Sequence, residues 1–302
     1  MNAASPTTIP TGLARVRLWW EMTRPRVLLL VLFTGVPVLG MSAGGWPSLT
    51  TALAVLVPTA LTGAACSTLN AWVERESDAR MARTRQRPLP AAAVAPHEAL
   101  GLGLVLSVVS TALLAWVGGP VAAGIGLGTI LFYVLVYTVW LKPRTPQNIV
   151  IGGAAGATTP MIAQAVIDGY VGISSVFLFL LVFLWTPPHF WAIAIFRKRE
   201  YEAAGFPMMP SVVGDAATRR QSMVYTVLMV LLSVIAVPLG LLGPGYGLIA
   251  LLVGLWFIGS VWRSIRADDP AVDYGVFRAS IVYLFLLCGG MLLDRALLAG
   301  LA

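Results

Sequence analysis

Three oxygen-bearing side chains stand at four-residue intervals where an apolar run gives way to charge: Asn70, Glu74 and Asp78. If a helix carries this stretch, positions i, i+4 and i+8 share one face and span about 12 Å. One amide oxygen and two carboxylates make a hard, oxygen-only ligand set. Such a set suits Mg2+, which keeps part of its water shell and takes further ligands from a phosphate. Cations follow at Arg80, Arg83 and Arg87, with Thr84 among them and Pro88-Leu89 after them. A diphosphate carries up to about three negative charges, and a metal with guanidinium groups is the expected means of neutralising it. The competing reading is a solvated loop whose carboxylates pair with arginine. The regular spacing at a membrane boundary, where buried carboxylates are costly and usually functional, favours a site.

A second stretch reads Trp185-Thr186-Pro187-Pro188-His189-Phe190-Trp191, followed by Arg199-Glu200-Tyr201-Glu202 and Gly205-Phe206-Pro207. Pro187 and Pro188 remove two backbone donors near the end of an apolar run. This predicts a break or kink that turns His189 towards a cavity among aromatic rings. A lone helical histidine is as readily a hydrogen-bonded packing residue as a ligand, and both readings stay open. Cys66 and Cys288 sit inside apolar runs without ligand-type neighbours, so neither a disulfide framework nor a zinc site is expected.

The elements that must position these groups are membrane helices. Of the 302 residues, 58% are hydrophobic and only 11% charged, and the mean hydropathy is +0.84; a soluble chain is about one quarter charged. A crossing helix needs about 20 mostly apolar residues. Nine segments qualify: 27–44, 49–69, 99–117, 121–141, 149–167, 173–195, 224–242, 247–262 and 277–293, the last able to extend to 301. Of the 20 Lys and Arg residues, 18 fall before the first segment or in every second connection, and Arg278 stands at the edge of the ninth segment beside the last such connection; Arg295 is the exception. The connections 45–48, 118–120, 168–172 and 243–246 hold none. This alternation is a positive-inside pattern. It predicts a cytoplasmic N-terminus, cytoplasmic long loops at 70–98 and 196–223, and a C-terminus outside. The first apolar run follows Arg24-Pro25-Arg26 and is too long for a cleavable leader, so it is expected to stay as a helix. The expected fold is therefore an all-α polytopic membrane protein, one domain over 1–302. The net charge of +7 serves topology; basic residues scattered over five membrane-side segments give no nucleic-acid module.

The stretch 70–89 resembles the first Asp-rich motif of the UbiA-type intramembrane prenyltransferases, Asn-x-x-x-Asp-x-x-x-Asp followed by Arg-Thr-x-x-Arg-Pro. Glu74 at the middle position is similar to the haem O synthase (protohaem IX farnesyltransferase) branch. So is the second stretch: Thr186 to Trp191 matches Thr-Pro-Pro-His-Phe-Trp, and Gly205 to Pro210 matches Gly-x-Pro-Met-x-Pro. Quinone-pathway members carry a second Asp-x-x-x-Asp there, which this chain lacks. Glu200 stands where that branch often has Asp. Thr23-Arg24-Pro25-Arg26, the segment 137–153 and the C-terminal Tyr283 and Asp294 regions extend the likeness nearly end to end.

The resemblance implies nine helices around a central cavity in a bacterial-type inner membrane, with cytoplasmic active-site loops. It implies farnesyl diphosphate and haem b as substrates, haem O as product and Mg2+ as cofactor. By the same resemblance Asn70, Glu74 and Asp78 hold the metal. Arg83, Arg87 and Lys142 neutralise the diphosphate, Asn148 and Glu200 complete a polar rim, and His189 and Trp191 face the porphyrin. A downstream haem-modifying membrane enzyme is an implied partner. Competing readings are a prenyltransferase for a quinone precursor or chlorophyll-type ring, a transporter, and an assembly scaffold. An odd helix number without an evident inverted repeat disfavours transport, and a scaffold leaves the spacing of Asn70, Glu74 and Asp78 unexplained.

Overall fold

The computed structural model describes residues 12–41 and 47–300, with side chains as far as 297. Positions 42–44 of the first expected helix, and 45–46 of the connection after it, lie outside the described residues. The elements are α1 (Leu13–Met22), α2 (Pro25–Met41), α3 (Leu49–Val73), α4 (Arg75–Arg80) and α5 (Pro96–Leu131). A π helix (Phe132–Leu141) continues α5. Then come α6 (Asn148–Gly156), α7 (Thr159–Asp168), α8 (Ile173–Phe196), α9 (Lys198–Ala203), α10 (Met209–Val213), α11 (Asp215–Ile235), α12 (Pro244–Ala267) and α13 (Pro270–Gly300). No strand occurs among the described residues.

Among the described residues six helices can cross a membrane by length and hydropathy, or seven if α1 and α2, bent 52° apart, count as one span. This differs from the nine segments expected, for two physical reasons. The stretch Pro96–Leu141 counts once although it holds 46 residues, about 69 Å of helix against a hydrocarbon core of roughly 30 Å. It is broken at Gly119, whose φ of 70° and ψ of −167° are not helical. A Cβ on Gly126 would lie 2.3 Å from a Leu114 methyl, whereas residues so spaced on a straight helix are about 18 Å apart. The chain therefore doubles back at Gly119-Pro120. The second reason is α11, which starts nine residues before the expected 224 and carries Asp215, Arg219 and Arg220 in its first turns. It also ends at Ile235, short of the expected 242, and a turn with Gly240 at φ 69° follows.

The main core joins α2, α8, α11, α12 and α13 through Val38, Phe177, Leu181, Met229, Phe257 and Leu287. Leu104, Val108, Trp116, Leu252 and Leu255 remain largely exposed. Helices apolar all round belong in a bilayer. Their hydroxyls bond back to their own helices: Thr59 to the Val55 carbonyl, Thr62 to Pro58, Thr186 to Val182 and Thr226 to Ser222. This satisfies the polar groups where water is absent. Of the break or kink expected at Pro187-Pro188, the break does not occur, for α8 runs through both prolines to Phe196. Packing on both sides holds it, and membrane helices tolerate internal proline.

One polar knot ties the ends of three helices. Arg219 of α11, 3% exposed, pairs with Asp273 of α13 at 2.6 Å, pairs with Asp268, and shares Asp273 with Ser264 of α12. Asp273→Ala leaves the guanidinium buried with only the exposed Asp268 beside it. The expected loss is about 3 kcal/mol, read as a lower thermal midpoint in detergent. An unchanged midpoint would show that the knot does not hold α11 to α13.

Candidate active site

α3 delivers Asn70 in its last turn and ends at Val73. Glu74 caps it at φ −88° and ψ 6°, and α4 carries Asp78. The joint keeps helical register: the Glu74 amide donates to the Asn70 carbonyl at 2.9 Å, and the Asp78 amide to the Glu74 carbonyl at 2.8 Å. All three side chains are buried, Asp78 at 1% exposure. A solvated charge-rich loop is thereby excluded. The loop after α4 is anchored through Leu89 and Val94, packed with Met22, Ala71 and Ala99, and through Thr84, whose hydroxyl donates to the Asp78 carbonyl at 2.7 Å.

Each carboxylate has its cation. Arg87 Nη1 donates to Asp78 Oδ2 at 2.7 Å. Lys142 Nζ donates to Glu74 and lies 4.8 Å from the Phe206 ring centroid. Lys142 owes its position to the π helix, where its amide reaches back five residues to the Tyr137 carbonyl at 2.9 Å. Asn70 Nδ2 donates to Thr138 on the same π helix at 3.1 Å. Mid-helix π geometry is rare and collects at functional sites. Glu200 of α9 accepts from Arg197 at 2.9 Å and approaches Arg83 at 3.9 Å, so the two long loops meet.

What these groups leave unsatisfied indicates what they can hold. Asn70 Oδ1, Asn148 Oδ1 and Glu200 Oε2 are buried acceptors without hydrogen-bond partners, and Arg24 Nη2 is a buried donor without one. Buried polar atoms are normally paired. Unfilled oxygens call for a cation, and the unfilled guanidinium nitrogen calls for an anion. Burial pulls Arg87 below the ordinary guanidinium value, and the Arg24 charge adds to this; Asp78 opposes it and Arg83 reinforces it. A bound anion would relieve that excess. Among the described residues no three His, Cys, Asp or Glu side chains gather as a metal group. A divalent cation therefore needs Asn70 and the substrate's own oxygens as well as Glu74 and Asp78, and the hard oxygen chemistry of those donors fits Mg2+.

A cleft of about 240 Å³ opens beside these residues, lined by Glu21, Arg24, Asp78, Arg83, Gln86 and Arg87 among others. Arg24, which sequence spacing singled out only as part of a resembling string, proves to be a wall of it. It occupies the joint between α1 and α2 at φ 54°, and the Arg-Pro pair before an apolar run was the available signal. Arg80 is exposed and does not line the cleft.

His189 and Trp191 point to different neighbours. His189 faces α13, stacked on Trp185 at 4.0 Å and near Phe277 at 4.7 Å, with Nδ1 2.7 Å from Ser280 Oγ. That hydroxyl donates to the Phe277 carbonyl at 2.7 Å, so Nδ1 carries the imidazole proton and Nε2 keeps its lone pair. Trp191 is fully buried, edge-on to Tyr225 at 5.5 Å, in a cluster with Ile149, Met208, Met209, Tyr201 and Phe206. Two residues apart on a helix is about 200° of rotation. The structure thus gathers Asn70, Glu74, Asp78, Arg83, Arg87, Lys142 and Glu200, seats Asn148 beside the Ile149 cluster, and sets His189 apart.

Fold and site together define an integral membrane protein that holds oxygen acceptors and cations at one end of an apolar helical bundle. The chain belongs to the UbiA prenyltransferase family, whose profile matches residues 28–289. Relatives named protoheme IX farnesyltransferase include one from Brucella anthropi, 41% identical over 99% of this chain and 97% of its own length. Another, from Methylobacterium nodulans, is 43% identical over 98% and 95%. The fold is similar to a solved digeranylgeranylglyceryl phosphate synthase, with a TM-score of 0.79, 16% identity and coverage of 94% of this chain and 99% of that one. It is also similar to a UbiA homologue from Archaeoglobus fulgidus bound to DMAPP and Mg2+, with a TM-score of 0.65, 16% identity and coverage of 90% and 99%.

Lys142 is held from behind. A Cβ on Gly152 of α6 would fall 2.1 Å from the Tyr137 ring, whereas one on Gly156 meets nothing within 4 Å. Gly152→Ala is expected to cost about 1–3 kcal/mol by overpacking, with Gly156→Ala neutral. Equal thermal midpoints for the two variants would refute the close packing of Tyr137.

Proposed function

We propose that this chain transfers the farnesyl group of farnesyl diphosphate to a vinyl group of haem b, giving haem O. The observation that carries the reading is the buried pairing of Asp78 with Arg87 and Glu74 with Lys142 beside the unfilled Asn70 oxygen. It is supported by relatives of that name along nearly the whole chain, and by a His189 segment in place of a second Asp-x-x-x-Asp.

In this reading Arg87, Lys142, Arg83 and Arg24 receive the diphosphate oxygens, while Asn70, Glu74 and Asp78 are the Mg2+ ligands. Bound Mg2+ supplies charge neutralisation to the leaving group. The cations are already in place, so they stabilise the departing diphosphate without reorganising. The apolar bundle keeps water from the allylic cation until the vinyl carbon attacks. Water then adds to the porphyrin-side cation. Asn148 and Glu200 form the polar rim. His189, with its free Nε2, serves the acceptor side, and Trp191 backs α8 from the opposite face. The chain crosses a bacterial-type inner membrane nine times, with the N-terminus and the site's loops cytoplasmic. Product passes to a haem-modifying enzyme in the same membrane.

Purified protein given haem b, farnesyl diphosphate and Mg2+ is expected to yield a farnesylated haem by mass spectrometry, and EDTA should abolish it. Product from 4-hydroxybenzoate instead would move the assignment to quinone precursors, and solute flux without product would move it to transport. Asp78→Asn should lower turnover about 100-fold or more, with haem binding intact. Full Mg2+-dependent turnover in that variant would remove Asp78 from the metal site. His189→Ala should alter the haem absorption spectrum; an unchanged spectrum and rate would make His189 a packing residue only.

A further inference from the structure

A second cavity, sharing no residue with the Asp78 cleft, lies on the outer side of α12 and α13. It has a volume of about 410 Å³ and is open, with Trp256, Arg263, Gly275, Val276, Arg278 and Val282 prominent in its lining. Its composition is divided. Val272, Val276, Ala279 and Val282 make an apolar trough, while two exposed arginines stand along it. Arg263 is steadied by its own helix, with Nε donating to the Gly259 carbonyl at 3.3 Å and Nη2 to Ser260 Oγ at 3.2 Å. Arg278 has no hydrogen bond or ion pair among the described residues. Neither arginine meets a carboxylate of the described residues.

The depth of the trough follows from its neighbours. Trp256 and Trp262 are 42% and 51% exposed, and Arg266 lies 5.6 Å from the Trp262 ring centroid. Exposed tryptophans with arginines beside them mark the level of the lipid headgroups. The end is that of the Asp78 cleft: the Tyr274 ring of α13 lies tilted against Phe196 at the end of α8, 4.8 Å away, and α8 leads directly into α9 with Glu200. This is also the arginine-rich end, which faces the anionic leaflet.

We propose that the trough between α12 and α13 is a binding site for one bilayer phospholipid with an anionic headgroup. Arg263 and Arg278 take the phosphate and the headgroup charge, and an acyl chain lies along Val276, Ala279 and Val282. The occupant is an amphiphile because the lining is cationic at its rim and aliphatic elsewhere. It is not a haem, since no His, Cys, Met or Tyr lines the trough to give iron an axial ligand. Gly275 leaves the room: a Cβ there meets nothing within 4 Å. The site does not depend on the transfer reaction. Occupancy would bear on it only through α13, whose other face carries Phe277 and Ser280 against His189.

The test is native mass spectrometry of the full chain in neutral detergent, with phosphatidylglycerol and phosphatidylcholine of matched acyl chains. One phosphatidylglycerol should stay bound under conditions that strip phosphatidylcholine. Arg263→Gln with Arg278→Gln should weaken retention on the order of tenfold. Gly275→Phe, which fills the trough and changes no charge, should do the same. Arg220→Gln with Arg266→Gln removes equal charge elsewhere and should leave retention unchanged. Circular dichroism and gel filtration check each fold, and if the first pair fails to fold, Gly275→Phe decides. Equal retention of the two lipids, equal loss in the control pair, or retention unmoved by Gly275→Phe would each overturn the site. So would displacement by inorganic phosphate alone, or loss of haem binding in the Arg263/Arg278 pair.

Discussion

Glu74 and Asp78 are carboxylates taken out of water at the end of an apolar bundle, and each is tolerable only beside a cation. Removing a charge from water costs several kcal/mol, and only close, well-aligned partners offset it. Lys142 and Arg87 supply that offset. The rest of the local architecture serves the pairing: the joint at Glu74, the π turn that brings Lys142 across, and the loop that Thr84 pins over Asp78. A pair so arranged is stable but not closed. A polyanion offers the cations a stronger partner, and a divalent cation offers the carboxylates one. Neutrality can then be kept while partners change.

The same tension explains the polar groups deeper in the bundle. Hydroxyls such as those of Thr59 and Thr226 find acceptors on their own helices and ask nothing of the tertiary structure. Arg219 cannot do so, and it needs Asp273, Asp268 and Ser264 from other parts of the chain. Buried charge in this protein therefore marks a tertiary contact, either a structural knot, as at Arg219, or a place left open for a ligand, as at Glu74 and Asp78. The unfilled atoms of Asn70, Asn148, Glu200 and Arg24 separate the second kind from the first.

How much of this is legible in sequence depends on whether the cause is local. The spacing of Asn70, Glu74 and Asp78 is local, and the structure keeps the three in helical register with both carboxylates buried. The doubling of the chain at Gly119-Pro120 is local too, and segments 99–117 and 121–141 read correctly as separate limbs. Arg24 was not legible as a site wall because its position depends on a left-handed joint at φ 54°, which no periodicity reveals. The π helix is equally silent, for a sequence that is apolar apart from Tyr133, Tyr137 and Thr138 reads as an ordinary membrane helix. Of the break or kink read at Pro187-Pro188 the break is absent, because neighbouring groups in a membrane bundle re-satisfy the backbone that proline frees. The start of α11 was missed because hydropathy counts Asp215, Arg219 and Arg220 as polar, while Arg219 is buried by its partners.

The π helix has a consequence for the order in which the protein is made. Its wide turns have poorer intrinsic stability than α turns, so it persists only where its neighbours have already docked. Glu74 and Lys142 are 68 residues apart in the chain, and the loop between them must close before either charge is matched. A nascent chain that has threaded its early helices but not yet docked the π helix therefore has Glu74 without its cation, although Arg87 already stands near Asp78. Binding competence waits on that closure. It reports that the helices on both sides of that closure have found each other.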